Sequence, residues 1–243
     1  YKAGGFNNLG FGAAPYTDPE FVDAFEGGWK QEWVEANLTT NSSAFFYKYK
    51  DAQAPLSIVT NPGQTPQTAF TAFVNVPEVE TYGFELESNW NPIEPLNIGF
   101  TYAYLHTEIV SDDTYVDSTR DARCFLGGAT SGPAGTCSAV NRVFVDPLRS
   151  RSLKGNALSQ SPEHKASLNA SYRIDFEDGS YLLPTMSYSW RDIFFDTFFN
   201  NANEKSPSYD NLDARLNWYS SEGHYSVTLW VRNALDEEQT TSI

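Results

Sequence analysis

Positively charged side chains are concentrated between Arg120 and Lys154, in a chain whose formal net charge is −15. This segment has six cations and only two carboxylates, so its own net charge is +4. Arginine binds carboxylate and phosphate oxygens with paired N–H groups, and a basic patch attracts anions from a distance. The segment therefore predicts a site for an anionic ligand, with solvation or contact with lipid phosphates as the alternative. The residues that we assign to this site are Arg142, Arg149 and Arg151.

Phenylalanines gather in the stretch RDIFFDTFFNN, at residues 191–201. If the alternation of the preceding residues continues, Phe194 and Phe198 belong to an apolar face, and Phe195 and Phe199 to the opposite one. Rings on that side could stack on a planar ligand. We therefore add Phe195 and Phe199 to the candidate ligand-binding residues, with simple aromatic packing as the alternative.

Two cysteines, Cys124 and Cys137, lie in a segment rich in Gly, Ser and Pro. Two nearby cysteines in such a loop favour a local disulfide and an oxidising compartment. Two unrelated reduced thiols are the alternative. Metal binding by two cysteines without a neighbouring histidine fits less well.

Residues for catalysis are poorly placed. His106, His164 and His224 are scattered, without the spacing of metal ligands or of a nucleophile and its base. Glu85 and Glu87 share a strand face, and a pair of carboxylates is the catalytic machinery of glycosidases. The alternative is that both are polar side chains on the inner wall of a β-barrel. We therefore predict no catalytic residues, no metal site and no cofactor.

The elements that carry these residues are predicted to be β-strands. In HKASLNASYRIDF, residues 164–176, apolar and polar side chains alternate throughout, which is typical of a strand with one apolar and one polar face. With a fragment at Tyr1–Phe6, nine such strands can be counted. The other seven alternating segments are centred on residues 25–30, 45–50, 82–90, 96–104, 185–191, 212–218 and 225–231.

The connections between these strands alternate in length. Every second one is tight, so an up-and-down meander would place the tight turns at one end and the long loops at the other. A sandwich with Greek-key crossings has no reason to segregate them. The tight connections are predicted at residues 35–38, 91–95, 177–179 and 220–223, and the long ones at 7–19, 52–71, 110–162 and 197–208.

Strand length and aromatic content favour a membrane barrel. The alternating runs at residues 72–91 and 180–195 exceed the roughly 9–11 residues that a strand needs to cross a bilayer. Aromatic residues make up 15% of the chain and gather near strand ends, where interfacial girdles lie. We therefore predict an all-β, antiparallel, up-and-down transmembrane β-barrel. Because open edges are costly in lipid, nine strands must be part of a larger barrel, with one further strand after the ninth.

Composition excludes several other classes. A net charge of −15 disfavours a nucleic-acid partner, which requires a basic surface. No run approaches the 18 or so apolar residues of a membrane helix, and no signal pattern is present. Because the chain starts at Tyr1 rather than Met, we expect it to be an internal piece of a longer protein.

Several segments together resemble the C-terminal part of TonB-dependent outer-membrane receptors. The strand from Asn75 to Glu87 has the family's spacing of Asn, seven residues, Gly-x-Glu-x-Glu, and LNIGFTYAYLHTE continues its hairpin. No single segment is specific for this family, but the order and spacing of all the segments together are. The other similar segments are YKAGGFN, PEFVDAFEGGWKQEW, SSAFFYKYKDAQ, SPEHKASLNASY, YDNLDARLNWYS and YSVTLWVRNALDEE.

This resemblance implies a 22-stranded barrel in the outer membrane of a Gram-negative bacterium, closed by an N-terminal plug and energised through TonB. Residues 1–243 would be the C-terminal part of that barrel, without the plug or the last strand. The expected partners are TonB, membrane lipid, lipopolysaccharide and a small nutrient.

The resemblance also implies import of a scarce nutrient, and the basic segment favours a ferric siderophore. Oligosaccharide, cobalamin or another organic nutrient is the alternative within the family. An outer-membrane barrel enzyme and a soluble carbohydrate-binding sandwich are the alternatives of other classes.

Overall fold

The computed structural model describes residues 1–7, 16–59, 69–116 and 150–238. These residues form mainly antiparallel β-strands, with short 3₁₀ turns at Val34–Ala36 and Ala202–Glu204. Among the described residues, no helix has the length and apolar character needed to cross a membrane. The prediction of an antiparallel all-β fold is confirmed.

Fifteen strands lie in the described part of the chain. Eight of them are six or more residues long, and the other seven are two or three residues long. The strands are β1 (Gly5–Phe6), β2 (Tyr16–Thr17), β3 (Phe21–Trp33), β4 (Leu38–Val59), β5 (Ala69–Ile93), β6 (Leu96–Ile109), β7 (Thr114–Val116), β8 (Ser150–Ser152), β9 (His164–Tyr172), β10 (Ile174–Asp175), β11 (Tyr181–Arg191), β12 (Phe194–Phe195), β13 (Lys205–Ser206), β14 (Tyr209–Tyr219) and β15 (Ser226–Val231).

The chain forms two compact units, and β3, β4, β5 and β6 contribute residues to both. The first unit comprises Tyr1–Ala24, Tyr47–Glu80 and Thr107–Ala157. The second unit comprises Phe25–Phe46, Thr81–His106 and Leu158–Ile243.

The second unit is an up-and-down meander. Its strands lie in the order β15, β14, β11, β9, β6, β5 and β4, with β3 paired to β4. Tight turns connect β3 to β4 and β5 to β6, as the pattern of connection lengths predicts. Asn37 closes the first of these turns with φ 48°, and Gly179 has φ 84° in the turn before β11. Asn and Gly are the residues that adopt this left-handed conformation most readily.

The register of this meander separates two faces. Met186 lies directly opposite Ala170 on one side and Ala214 on the other. The next residue, Ser187, lies opposite Asn169 and Asp213. Since side chains directly opposite each other share a face, one face is apolar and the other polar. We call these the apolar face and the polar face.

The apolar face leaves large hydrophobic side chains uncovered. Leu229 is 65% exposed and Trp29 61% exposed. A contiguous apolar surface of this kind is rare on a protein in water and marks a contact with lipid or protein. The second unit thus has a surface suited to an apolar environment.

The first unit has a small apolar core of its own. Ile109 and Leu153 are completely buried, and Val76 and Val79 are 1% exposed. Around this core β7 pairs with β8 and also with β4. The backbone of Ile109 donates to the carbonyl of Asn156 at 2.9 Å, which ties the segments on either side of residues 117–149 together.

Some predicted boundaries are wrong. The loop predicted at residues 52–71 is shorter, because β4 continues to Val59 and β5 begins at Ala69. Ala54 and Leu56, each 4% exposed, are buried, and this burial accounts for the extension of β4. The strand predicted at Tyr1–Phe6 is reduced to β1 and an isolated bridge between Lys2 and Glu20.

Candidate ligand-binding surface

The polar face of the second unit carries small side chains that hydrogen-bond to one another. The hydroxyls of Thr101 and Ser167 lie 2.7 Å apart, and the Ser187 hydroxyl donates to the amide oxygen of Asn169 at 2.7 Å. The pairs join β6, β9 and β11 across the sheet. Much of this face is therefore polar but already hydrogen-bonded.

Near the ends of β9 and β11, these small residues leave a cavity of about 1010 Å³ on the second unit. Its lining includes Gly28, Ser43, Ala103 and Ser167. Small residues such as Gly28, Ala103 and Ser167 lie among longer lining side chains and leave room for this cavity. The volume lies at the upper end of the range for small-molecule sites, about 300–1,000 Å³.

Charged side chains of both signs line this cavity. Carboxylates come from β3 and β5, and cations come mainly from β9 and β11, so the two signs lie on different sides. Lys30 on β3 is the exception. The charged lining residues are Glu26, Lys30, Glu85, Glu87, Lys165 and Arg191.

Arg191 is held at the cavity by two aromatic rings and a carbonyl. Its guanidinium carbon lies 4.6 Å from the centre of the Phe194 ring and 5.6 Å from that of Tyr209. Its Nη1 donates to the carbonyl oxygen of Pro207 at 2.9 Å. Cation–π contacts of this type restrain the side chain while it keeps its charge.

Phe45 also lies on the polar face. This position is unexpected, because Phe45 shares one side of its strand with Tyr47 and Tyr49, and a row of aromatic residues suggests an apolar environment. Its ring covers Gly83, so closely that a Cβ added to Gly83 would lie 2.6 Å from the ring. Gly83 shares the parity of Glu85 and Glu87 on β5. The glycine of the Gly-x-Glu-x-Glu motif thus has a local reason: only a residue without a side chain leaves room for this ring.

The sequence-predicted basic site is only partly described. Arg142 and Arg149 lie outside the described residues, as do Cys124 and Cys137. The described part of the chain gives no support to the disulfide, which stays a prediction. Arg151 lies on β8 of the first unit, half-buried and directly opposite Tyr115 on β7.

Tyr115 shows how this part of the first unit is fixed. Its hydroxyl donates to the carbonyl oxygen of Asn75 at 2.9 Å. Burial, assisted by the charge of Asp113, raises the pKa of Tyr115 to about 12. The strand that pairs with Arg151 is therefore held against β5 by a neutral, hydrogen-bonded phenol.

The predicted aromatic residues are in the second unit, and the structure changes their interpretation. The main strand ends at Arg191, and Phe195 belongs to β12, which pairs with β13 in a separate two-stranded sheet. The alternation therefore cannot be extended past Arg191. Phe199 is 5% exposed, and this burial favours packing over ligand stacking. Phe195 is half-buried, with the Lys205 ammonium 6.0 Å from its ring centre.

The histidines of the second unit make contacts with aromatic and acidic neighbours. Tyr82 stacks on His106 at 4.7 Å, and the Tyr102 hydroxyl lies 2.8 Å from Nδ1 of His164. His224 lies 3.1 Å from a carboxylate oxygen of Glu222. In the described part of the chain, no group of three or more His, Cys, Asp or Glu residues could hold a metal ion.

Lys165 and Arg191 were not among the residues that the sequence assigned to a site. Each occupies a polar position at the end of an alternating segment, which is the only local signal. The register adds that they are direct cross-strand partners. Their proximity depends on the pairing of β9 with β11.

Comparison with known proteins places the fold. The family model for the TonB dependent receptor-like β-barrel matches residues 1–234. A search of curated proteins found no match.

Among solved structures, the ferric yersiniabactin uptake receptor FyuA from Yersinia pestis is similar with a TM-score of 0.64 at 17% identity, covering 97% of this chain and 28% of that one. The siderophore receptor PiuA from Acinetobacter baumannii has a TM-score of 0.59 at 20% identity, covering 91% of this chain and 25% of that one. BauA, the ferric preacinetobactin receptor from Acinetobacter baumannii, has a TM-score of 0.56 at 17% identity, covering 93% and 28%. At these identities the similarity shows the fold alone, and this chain spans about a quarter of each of those proteins.

Proposed function

The chain belongs to the TonB-dependent receptor-like β-barrel family, and on that premise we propose that it is part of an outer-membrane receptor that imports a scarce nutrient with energy supplied through TonB. Members of this family are outer-membrane proteins of Gram-negative bacteria. In the proposal, residues 1–243 supply the C-terminal part of a 22-stranded barrel. The plug, the TonB-contacting segment and the last strand belong to other parts of the protein.

The observation that carries the proposal is the family match over residues 1–234 on a meander with two chemically distinct faces. In a membrane barrel the apolar face contacts lipid and the polar face contacts the interior. Exposed side chains such as Leu229 and Trp29 support this assignment. The matched family and the similar solved structures are receptors, which supports a transport function rather than an enzymatic one.

The connection lengths support an orientation. The tight turns, such as the one at Val34–Ala36, would lie in the periplasm and the long connections outside the cell. The polar face, with the cavity near Lys165 and Arg191, would then line the barrel interior. Membrane lipid would cover the apolar face, and lipopolysaccharide would surround its outer rim.

The substrate that we favour is a ferric siderophore. Its support is the net charge of +4 between Arg120 and Lys154, which suits an anionic ferric complex. Oligosaccharide, cobalamin or another organic nutrient is the alternative. An acidic chain of net charge −15 offers little for nucleic acid.

The proposal can be tested by uptake in the source cells. Deletion of the gene should abolish uptake of one radiolabelled ferric complex during iron starvation, and loss of TonB should do the same. Neutralising Arg149 and Arg151 together should weaken that uptake in a salt-sensitive way. Induction by a sugar, or uptake that ignores both arginines, would exclude the siderophore while leaving the transporter proposal intact. Uptake that is independent of TonB would contradict the transporter proposal itself.

A further inference from the structure

Two cations face each other directly across the sheet at the edge of the cavity. Lys165 on β9 and Arg191 on β11 are cross-strand partners on the polar face. Such partners have Cβ atoms only about 4.5–5.5 Å apart, and like charges placed directly opposite each other destabilise a sheet. An anion between them would remove this repulsion.

The described residues do not supply that anion. Neither Lys165 nor Arg191 makes an ion pair with a carboxylate of the described chain, whereas Lys48, Lys50 and Arg173 do. Lys48 lies 2.6 Å from a Glu78 carboxylate oxygen, and Arg173 lies 2.8 Å from one of Asp175. Lys165 and Arg191 therefore differ from Lys48 and Arg173, because no described carboxylate neutralises either of them.

The surroundings of the pair are suited to an oxyanion. Arg191 is restrained by the rings of Phe194 and Tyr209, so little side-chain entropy would be lost on binding. Ser167 and Ser189, opposite each other one position further along the same face, bring two hydroxyl groups close to the cations. Arginine offers a planar fork to an oxyanion and lysine a compact charge.

The opposite side of the cavity is acidic and would orient the ligand. Glu26, Glu85 and Glu87 line it, and the described residues provide no ion-pair partner for these carboxylates either. Their charge opposes an anion on that side and favours hydroxyl, amide or ammonium groups there. The charge distribution thus selects one position for an anionic group.

We propose that Lys165 and Arg191 form an oxyanion-binding subsite that holds a carboxylate, phosphate or phenolate group of the imported ligand. This inference rests on the proposed import function, and it assigns the ligand an anionic group that contacts the barrel wall. The pair lies apart in sequence from Arg142, Arg149 and Arg151, so it is a separate point of recognition.

The test uses citrate as the probe and the full-length receptor in a neutral detergent. Calorimetric titration at low ionic strength should show saturable binding that weakens as salt is added. Lys165→Gln and Arg191→Gln should each raise the dissociation constant about tenfold, which corresponds to about 1.4 kcal/mol. Arg191→Lys should raise the dissociation constant less than Arg191→Gln does, because lysine keeps the positive charge but lacks the planar guanidinium group.

Arg215→Gln is the matched control, because Arg215 is an exposed cation opposite Thr185 on the same polar face, away from the cavity. It should leave the dissociation constant unchanged within about twofold. Absence of citrate binding in the unmodified receptor, or equal binding by Lys165→Gln and Arg191→Gln, would overturn the inference.

A second measurement tests whether a carboxylate of the protein itself, rather than a ligand, lies between Lys165 and Arg191. If Lys165→Gln and Arg191→Gln leave citrate binding unchanged but lower the unfolding midpoint of the full-length receptor, the pair binds a carboxylate of the protein itself, and the inference is wrong. Citrate binding that depends on the pair, in a receptor that imports no ferric complex, would instead contradict only the favoured substrate.

Discussion

Substitution of Gly83 by alanine tests the packing between strands of the second unit. A Cβ at this position would lie 2.6 Å from Cζ and 3.2 Å from Cε1 of Phe45, and it would also meet the carbonyl oxygen of Tyr104. Carbon atoms pack best at about 3.5–4.0 Å, so the added methyl group is about 1 Å too close to the ring. The ring can turn, but the carbonyl belongs to the backbone of β6. The strand itself must therefore shift.

The expected magnitude follows from two opposing effects. Overpacking of this kind costs about 1–3 kcal/mol. Replacing glycine by alanine also lowers the entropy of the unfolded chain, which stabilises by about 0.4–1 kcal/mol. We expect Gly83→Ala to lower the free energy of unfolding by about 1–2 kcal/mol.

Gly99→Ala is the matched control, because Gly99 lies on the polar face of β6 and its added Cβ would meet only Cβ of Asn169, at 3.9 Å. With no overlap, this change should stabilise by about 0.4–1 kcal/mol. The two substitutions are thus expected to have opposite signs.

The assay is denaturant unfolding of the full-length receptor in detergent, followed by tryptophan fluorescence. The Gly83→Ala midpoint should fall at an unchanged slope, and the Gly99→Ala midpoint should rise. In a Phe45→Ala background the cost of Gly83→Ala should shrink, since one of the two obstructing groups is gone. If Gly83→Ala raises the midpoint as Gly99→Ala does, the space argument for this glycine is refuted.

Three further predictions concern the turns, the first unit and the two faces. Hydrogen bonds from the hydroxyl and backbone N–H of Ser180 lower the pKa of Asp178 from 3.8. Asp178→Asn should therefore lower the unfolding midpoint above pH 3.8. This difference from the unmodified protein should vanish as the pH falls through the lowered pKa of Asp178. The pKa of Tyr115 is raised from 10.0 to about 12, so its contribution to the stability of the fold is complete below pH 10.0 and is lost as the pH rises towards 12. Absorbance titration of the unmodified protein and of Tyr115→Phe should show this late ionisation by difference. A Tyr115 phenol that titrates near 10.0 would contradict the prediction. Spin labels at Leu168 and Asn169 in the full-length receptor in lipid vesicles should differ, with the Leu168 label more accessible to a lipid-soluble quencher, and equal accessibility would rule out the membrane assignment.

The strands and their faces could be predicted because the signal is local. Alternation through Leu168, Asn169 and their neighbours predicts both the strand and the side on which each residue lies. Turn positions were predictable for the same reason, and Asn37 and Gly179 mark two of them with left-handed backbone. The order and spacing of these segments also predicted the family.

The prediction of a loop at residues 52–71 failed although part of that segment alternates. Ala54 and Leu56 alternate with Gln53 and Ser57, and both are buried in a β4 that continues to Val59. Extrapolated alternation also failed beyond Arg191, because the chain leaves the main sheet for a separate pair of short strands. A local pattern does not show which sheet a residue joins.

The sequence by itself determined most of the main strands, the two faces, the alternation of tight and long connections, and the family. Only the tertiary structure decided which side chains meet: Phe45 over Gly83, and Lys165 opposite Arg191. These residues are far apart in the chain, and their contact depends on the register between strands. A register shift of one residue would move every side chain of a strand to the other face, so it is the packing of whole strands that creates these pairs.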